Sequence, residues 1–456
     1  MRYYDLITGF LSLVLVSEAK YIISLKKGAV VSNDLLSNTD IDFFEIGDYS
    51  GLIVNDESMA RNLGKLNYVE SIEEDLPVSI EDIVEIDVNY QWGLDRIDQP
   101  NLPLNKNYDP PQHGDGTYIY VCDTGVRKTH IEFQGRVEDG YSHYGSKPTD
   151  GNGHGTHVMS TVIGKTVGVS NKAMGVAVKV LTDSGSGTWA GVIKGIEWSV
   201  KDIKNKKRCG VISMSLGGGK STAINNAVNA AVRQGVNVVV AAGNNNGDAC
   251  FKSPASAEKA ITVGSTTSSD GRSYFSNHGK CVDIFAPGSY ILGASNKDNR
   301  SYKTLSGTSM ACPHVSGALA MLFKSNNCKQ QDAVDALRKL AVQGKIKSMP
   351  TNTDNLLLQV ENINPTPTPS PTTPCIDICK AQKNENSCVT NSDCDCIWKN
   401  KECNIAPPTP KPTPSPTIDC ALECKPIRDK CECKLNKRLG GDCECKWNRR
   451  RRCNAV

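Results

Sequence analysis

The chain has 456 residues, of which 52 are Lys or Arg and 49 are Asp or Glu. This length predicts about two to four folded units, and the near balance of charge excludes a general nucleic-acid binder. The hydrophobic fraction of 39% excludes disorder along the whole chain. Of the 19 cysteines, 13 follow Pro374. Such a concentration of thiols favours an oxidising, extracellular compartment.

The first 19 residues have the features of a secretory signal peptide. Arg2 precedes an apolar run of 11 residues, LITGFLSLVLV, and the segment ends in Ser17-Glu18-Ala19, with small residues flanking one position. The run is too short to cross a membrane. We therefore expect a secreted protein, and the alternative is a buried strand or helix.

Residues 20–88 form an acidic segment that predicts a small α+β domain. They contain 5 basic and 15 acidic residues, unlike the rest of the chain. Stretches such as YIISL and GLIVN read as strands. A helix is predicted in DESMARNLG, with Asp56 or Ser58 as its cap.

Residues 89–363 alternate strand and helix patterns. The strand candidates are YIYVCD, AVKVL, GVISMSL, VNVVVAAG and AITVG, and the helix candidates are GTHVMSTVIG, TWAGVIKGIEWSVKDI, TAINNAVNAAVRQ and PHVSGALAMLFKS. Near-continuous apolar strands that alternate with helices are typical of an α/β domain. We predict a parallel sheet covered by helices on both faces.

Two stiff linkers rich in Pro and Thr, residues 364–374 and 405–419, precede cysteine-rich modules at 375–404 and 420–456. Modules this short need disulfides to hold them, and the alternative of zinc knuckles lacks the repeated spacing of such sites. The second module has 11 basic and 5 acidic residues. It could bind an anionic or carbohydrate surface, or it could be a solvated basic tail.

Three short motifs follow one another in the central region. Asp123 ends an apolar strand, and His154 and Ser309 each stand where a helix is predicted to begin. In a parallel sheet, strand ends and helix starts lie along one edge, so these side chains can converge. An imidazole can take the proton of a serine hydroxyl while a carboxylate orients the imidazole. The helix start favours developing negative charge near the serine.

Each motif alone has a simpler interpretation. Asp123-Thr124-Gly125 could be a turn, and the Thr and Ser of GTSM could cap a helix. His154 and His157 could bind zinc, but they lack the acid and spacing of zinc proteases. The three motifs together, in the order Asp, His, Ser, are far more specific.

The chain resembles the subtilase serine peptidases, most closely the proteinase K branch, over about residues 92–359. The matching strings are VCDTGV, DGNGHGTHV, SMSLGGG, VVVAAGNNN, KSPASA, YFSNHG, VDIFAPG and SGTSMACPHVSG. The order of the three motifs is also that of subtilisin. The resemblance implies an endopeptidase with Asp123 as the orienting acid, His154 as the general base and Ser309 as the nucleophile. It implies Asn244 as an oxyanion donor and a structural role for His157.

The same resemblance implies a substrate cleft with two edges that pair with an extended peptide. The implied substrate-binding residues are Ser184, Gly185, Ser186, Ser215, Leu216, Gly217 and Gly243. Pairing through the main chain predicts broad specificity. Small residues at 241–243 and no evident acid predict an apolar preference at P1, the residue before the scissile bond. Residues 20–88 resemble the inhibitory propeptide, with cleavage expected between about Ile80 and Gln91.

The resemblance further implies a disulfide between Cys250 and Cys281 and no cofactor for catalysis. It implies a structural Ca²⁺ held by the Asp283 carboxylate with the carbonyls of Glu258 and Ala260, although Asp283 could also simply close a turn. Four cysteines of the central region stay unassigned, namely Cys122, Cys209, Cys312 and Cys328. Of these, Cys122 and Cys312 are expected to be buried.

The sequence therefore predicts a secreted, monomeric serine endopeptidase that is made as a zymogen and cleaves proteins or peptides. One alternative is a surface-adhesion protein that uses its cysteine-rich modules and carries a vestigial peptidase domain. Another is a processing protease of narrow specificity.

Overall fold

The computed structural model describes residues 20–80 and 90–360, together with the backbone of six short strands between 396 and 455. The chain forms two units, residues 1–364 and 365–456. The predicted signal peptide, the linkers and the module side chains lie outside the described residues. So does most of the expected cleavage window. Among the described residues, no helix is both long and apolar enough to cross a membrane.

The first unit contains strands in a small N-terminal domain and in a larger domain that follows it. These strands are β1 (Tyr21–Leu25), β2 (Ile41–Ile46), β3 (Tyr49–Val54), β4 (Val69–Glu74), β5 (Pro77–Ser79), β6 (Thr117–Asp123), β7 (Val137–Ser142), β8 (Met174–Lys179), β9 (Ser186–Thr188), β10 (Cys209–Met214), β11 (Gly217–Gly219), β12 (Asn237–Ala241), β13 (Lys252–Ser253), β14 (Ile261–Thr266), β15 (Ile284–Pro287), β16 (Ile291–Ala294), β17 (Tyr302–Leu305), β18 (Val342–Gln343) and β19 (Leu356–Leu357).

The helices of the same unit include a short 3₁₀ turn at Ala249–Phe251. The α-helices are α1 (Asn33–Leu36), α2 (Glu57–Leu63), α3 (Trp92–Ile97), α4 (His154–Ile163), α5 (Trp189–Asn205), α6 (Thr222–Arg233), α7 (Thr308–Ser325) and α8 (Gln330–Leu340). In the part of the second unit that the structure describes, the strands form three antiparallel hairpins. Their strands are β20 (Cys396–Lys399) with β21 (Glu402–Ile405), β22 (Cys424–Ile427) with β23 (Lys430–Cys433), and β24 (Cys445–Trp447) with β25 (Cys453–Ala455).

The N-terminal domain is the small α+β fold that the acidic segment predicts. Its four strands form an antiparallel sheet in the order β2-β3-β1-β4. Successive residues of a strand face opposite sides of the sheet. Ile23 and Leu52 belong to the domain's own core. Ile22 and Ile53 belong to a core shared with the larger domain, where the sheet contacts α5 and α6.

The larger domain contains a nine-stranded sheet in the order β18-β19-β15-β14-β12-β10-β6-β8-β7. The strands from β15 to β7 pair in parallel, and only β18 and β19 pair antiparallel. Helices α4 and α7 pack in one hydrophobic core, and α5 and α6 pack in the other. The predicted parallel sheet with helices on both faces is therefore confirmed.

Two disulfides lie in the larger domain. Cys250 bonds to Cys281, as the resemblance implies. The second bond joins Cys209 at the start of β10 to Cys328 after α7, a pair separated by 119 residues that the sequence left unassigned. Cys122 is buried and free, as expected.

Helix α3 is held to the larger domain by a buried ion pair. The Arg96 side chain is fully buried, and its Nε donates to Asp270 Oδ1 at 2.6 Å. A second guanidinium nitrogen donates to the Gln99 carbonyl at 2.6 Å. Removing one partner of such a pair leaves a buried charge without compensation.

We therefore predict that Arg96→Met lowers the free energy of unfolding by about 3–5 kcal/mol. Lys128→Met breaks an ion pair with Asp139 in which both side chains are largely exposed, and it should cost under about 1 kcal/mol. Both free energies can be measured by guanidinium unfolding followed by circular dichroism. Equal losses in the two variants would contradict the assigned importance of the Arg96 pair.

Candidate active site

The carboxyl ends of four adjacent parallel strands meet at one edge of the sheet. These strands are β8, β6, β10 and β12, and the residues at or just after their ends include Asp123, Ser215 and Asn244. Helices α4 and α7 begin with His154 and Thr308 and pack against each other. The topology thus gathers the predicted site residues along this edge.

Asp123 and His154 are in direct contact. The imidazole Nδ1 lies 2.7 Å from Asp123 Oδ1, and both side chains are fully buried. A carboxylate at this nitrogen accepts its proton in a hydrogen bond and leaves Nε2 as the basic nitrogen of the neutral ring. The turn before His154 requires a left-handed residue, which Gly153 supplies with φ of 104°.

Ser309 lies in the first turn of α7, where backbone N–H groups have no partner within the helix. Pro313, four residues on, has no N–H to donate to the Ser309 carbonyl. The Ser215 hydroxyl donates to that carbonyl instead, at 2.8 Å. Ser309 Oγ lies 3.3 Å from the Ser215 carbonyl oxygen. Ser215 therefore fixes the position of Ser309 through both its side chain and its backbone.

Asn244 lies beside the same helix start. The Thr308 amide donates to Asn244 Oδ1 at 2.8 Å, and the Gly243 amide donates to Thr308 Oγ1 at 3.1 Å. With the carbonyl end engaged, the NH₂ end of Asn244 is the donor that the side chain can present elsewhere. Asn244 and the first turn of α7 thus form one cluster of N–H donors.

The two implied substrate edges are paired with residues of this same chain. Strand β5 lies antiparallel between β9 and β11, so that Ser79 stands opposite both Ser186 and Gly217. The Ile80 amide then donates to the Gly185 carbonyl at 3.0 Å. These edges accept an extended peptide through its main chain.

Glycines let the inserted strand come close. A Cβ on Gly218 would lie 2.8 Å from the Trp189 ring and 3.0 Å from the Pro77 carbonyl oxygen. Val78, which stands opposite Gly218, is only 1% exposed. The edge therefore accepts a strand and encloses the side chain at the position of Val78 in apolar surroundings.

Two other implied substrate-binding residues have contacts within the larger domain. Leu216 is buried, and Ser184 directs its hydroxyl to Thr182 and Ser186. His157 Nε2 lies 3.0 Å from the Ile291 carbonyl oxygen, which agrees with a structural role.

Burial raises the pKa of the Cys312 thiol, three residues after Ser309, to about 11, so this thiol is neutral at pH 7.

The expected calcium ligands do not fit a calcium ion in this arrangement. Arg338 donates to Asp283 Oδ1 at 3.0 Å, and the Thr262 amide donates to Oδ2 at 2.9 Å. A guanidinium therefore occupies the place beside the carboxylate that a cation would need. Glu258 is exposed and Ala260 is buried. Within residues 20–80 and 90–360, no cluster of three or more His, Cys, Asp or Glu side chains could hold a metal.

Sequence reasoning missed two acidic residues of the N-terminal domain. Glu73 accepts hydrogen bonds from the Ser221 hydroxyl and from the Thr222 and Ala223 amides, at 2.9 to 3.1 Å. Asp75 accepts from the Ala190 amide at 2.8 Å. Each carboxylate thus caps the start of a helix in the larger domain. The one available signal was the acidic composition of the segment.

Comparison with known proteins agrees with this geometry. Residues 114–358 match the subtilase family. Alkaline serine exoprotease A of Vibrio alginolyticus is 44% identical over 315 residues, which make up 68% of this chain and 58% of the Vibrio protein. The extracellular serine proteinase of Thermus sp. (strain Rt41A) is 46% identical over 270 residues, 59% of this chain and 65% of that protein. The chain thus spans less than two thirds of either relative.

A solved structure adds the same likeness at the level of the fold. The crystal structure of a cold adapted subtilisin-like serine proteinase is 47% identical and covers 60% of this chain and 99% of its own, with a TM-score of 0.57. The family match extends over more than half of the chain, and the two relatives above are named as serine proteases. The chain therefore belongs to the subtilase family.

Proposed function

We propose that this protein is a secreted serine endopeptidase that hydrolyses peptide bonds through an acyl-enzyme and is made as a zymogen. Ser309 is the nucleophile, His154 the general base, Asp123 the acid that orients His154, and Asn244 an oxyanion donor. Specificity is broad, with an apolar residue preferred at P1. The relatives are named as proteases, so a vestigial peptidase in an adhesion protein is not proposed further.

The proposed roles of these groups imply the following reaction. Ser309 Oγ attacks the scissile carbonyl carbon while His154 Nε2 takes the hydroxyl proton, and Asp123 stabilises the resulting imidazolium. The carbonyl oxygen becomes an oxyanion, which the Asn244 NH₂ and the Ser309 amide stabilise. His154 then gives its proton to the leaving amine. Water releases the acyl group by the same steps in reverse, with His154 again as the base.

One observation carries the proposal. Residues 77–80 pair antiparallel with Gly185, Ser186 and Gly217, as a substrate main chain would. The chain continues in sequence on both sides of this segment, so the cleft accepts the interior of a polypeptide and not only its end. This supports an endopeptidase.

The inhibitory role of residues 20–88 is supported by their contacts. A segment that fills the substrate edges excludes other peptides from them. The capping contacts of Glu73 and Asp75 and the shared apolar core hold the N-terminal domain on α5 and α6. Removal of this domain would open the cleft.

Other parts of the proposal rest on the sequence. The signal-like residues 1–19 support secretion, and the basic module 420–456 supports binding to an anionic or carbohydrate surface. We propose a monomer that acts on proteins or peptides.

Covalent labelling tests the nucleophile. The secreted, mature protein should react with a fluorophosphonate probe at Ser309, and Ser309→Ala should abolish both labelling and peptide hydrolysis. Removing one serine hydroxyl of a triad typically lowers turnover by about 10⁶-fold. Tryptic mass mapping locates the adduct. A label on any other residue, or full activity in Ser309→Ala, would refute the assignment.

Processing tests the zymogen. The mature N-terminus, measured by intact mass and terminal sequencing, should fall between Ile80 and Gln91. Purified Ser309→Ala should retain the N-terminal domain, because the same serine would perform the cleavage. A mature wild-type protein that still carries residues 20–80 would argue against the propeptide.

Hydrogen exchange tests the docking of the N-terminal domain in unprocessed Ser309→Ala protein. Glu73→Ala should speed exchange of the Thr222 and Ala223 amides, because it removes the carboxylate that accepts their hydrogen bonds. Glu74→Ala, at the exposed neighbouring position, is the matched control and should leave both amides unchanged. Unchanged exchange in Glu73→Ala would contradict the capping contact.

A further inference from the structure

A buried carboxylate lies just ahead of the turn that carries His154. Asp150 is 6% exposed and accepts five hydrogen bonds. Neither the three sequence motifs nor the mechanism above gives it a role. A buried carboxylate is costly unless it is fully hydrogen-bonded, so this site is built around its charge.

The Asp150 carboxylate bonds to two segments of the chain, and its Oδ1 alone reaches both of them. Oδ1 accepts from the Thr124 hydroxyl at 2.8 Å and from the Gly153 amide at 2.8 Å. Oδ2 accepts from the Thr156 amide at 2.9 Å and from its hydroxyl at 2.5 Å. Thr124 directly follows Asp123, whereas Gly153 and Thr156 flank His154. One carboxylate therefore ties the segment that carries the acid to the segment that carries the imidazole.

Neighbouring bonds complete this connection. Thr124 Oγ1 accepts from the Gly155 amide at 2.9 Å, and the Thr124 amide donates to Asp123 Oδ1 at 2.7 Å. A Cβ on Gly155 would lie 2.2 Å from the Gly125 carbonyl oxygen. The two segments are thus in close contact, and the Gly155–Thr124 hydrogen bond joins them beside the Asp123–His154 pair.

We infer that Asp150 is a positioning residue that sets the distance and orientation between Asp123 and His154. The inference rests on the proposed function of that pair. Asp150 acts through its hydrogen bonds with Thr124, Gly153 and Thr156. A displacement of about 1 Å in a catalytic group can cost about 10²-fold in rate, so loss of this carboxylate should lower turnover.

The direct test compares two isosteric changes of buried carboxylates. Asp150→Asn keeps the volume but turns an NH₂ group towards donors that need an acceptor. Glu132→Gln is the matched control. Glu132 is 1% exposed and accepts four hydrogen bonds, two from Thr166, one from Val167 and one from Tyr302, with none from the segments around Asp123 and His154.

Both variants are made in the full chain and assayed as mature protein with a peptide substrate. For Asp150→Asn we expect kcat to fall by about 10- to 100-fold with KM changed less than about threefold. For Glu132→Gln we expect kcat within about threefold of wild type, even if its unfolding midpoint falls as far as that of Asp150→Asn. Equal losses of kcat in both variants, or a loss confined to KM, would overturn the inference.

A second pair keeps the test decisive if Asp150→Asn does not fold or mature. Thr124→Val removes the hydroxyl that donates to Asp150, and Thr124→Ser retains it. We expect Thr124→Val to lower kcat and to weaken the low-field NMR resonance of the His154 Nδ1 proton, and Thr124→Ser to restore both. Identical behaviour of the two variants would overturn the inference.

The same experiment separates this inference from the proposed function. If wild-type protein neither hydrolyses the peptide nor reacts with the fluorophosphonate at Ser309, the proposed function fails. If wild type is active and Asp150→Asn matches it in kcat, only the positioning role fails.

Discussion

The parallel order of β8, β6, β10 and β12 is the constraint on which the rest of the structure depends. Because parallel strands all end at the same edge, Asp123, Ser215 and Asn244 become neighbours there although they are far apart in sequence. The helices that return from this edge begin at the same level, which brings His154 and Ser309 to it. A slip of one residue in any of these strands would turn its side chains to the opposite face of the sheet.

Some backbone groups near the site have no hydrogen-bond partner in their own helix or strand. Residues far away in the sequence supply those partners, and these contacts determine the geometry of the site. Pro313 cannot donate to the Ser309 carbonyl, and the Ser215 hydroxyl does so instead. Edges β9 and β11 present main-chain donors and acceptors, and β5 fills both. Unpaired backbone groups are costly when buried, so each of these contacts stabilises the structure while it fixes the geometry that a peptide substrate would meet.

Contiguous apolar runs made the central sheet and the small N-terminal domain predictable, and short motifs indicated that the candidate site residues would lie along one edge of that sheet. The features that the sequence did not reveal depend on contacts between residues far apart in the chain. The Cys209–Cys328 bond joins residues 119 positions apart, and neither cysteine has a local signal. The calcium expectation rested on Asp283, but Arg338 on α8 reaches that carboxylate only in the folded chain. Strand β7 is half exposed at the sheet edge, so it lacks the apolar run that revealed its neighbours.

The acidic N-terminal domain combines contacts of different strength. Lys194 pairs with Asp42 and Arg233 with Asp48 near the surface, where ion pairs contribute little. Glu73 and Asp75 instead lie at the N-termini of α6 and α5, where their carboxylates accept hydrogen bonds from backbone amides. Negative charge at a helix N-terminus also interacts favourably with the helix dipole. Burial raises the pKa of Asp75, which is the cost of placing this charge at the interface. The helices also have caps of their own, since Thr188 accepts from the Gly191 amide and Ser221 from the Ile224 amide. Both helices would therefore stay capped after the N-terminal domain leaves, so the contacts that hold that domain in place are not ones on which the larger domain depends to remain folded.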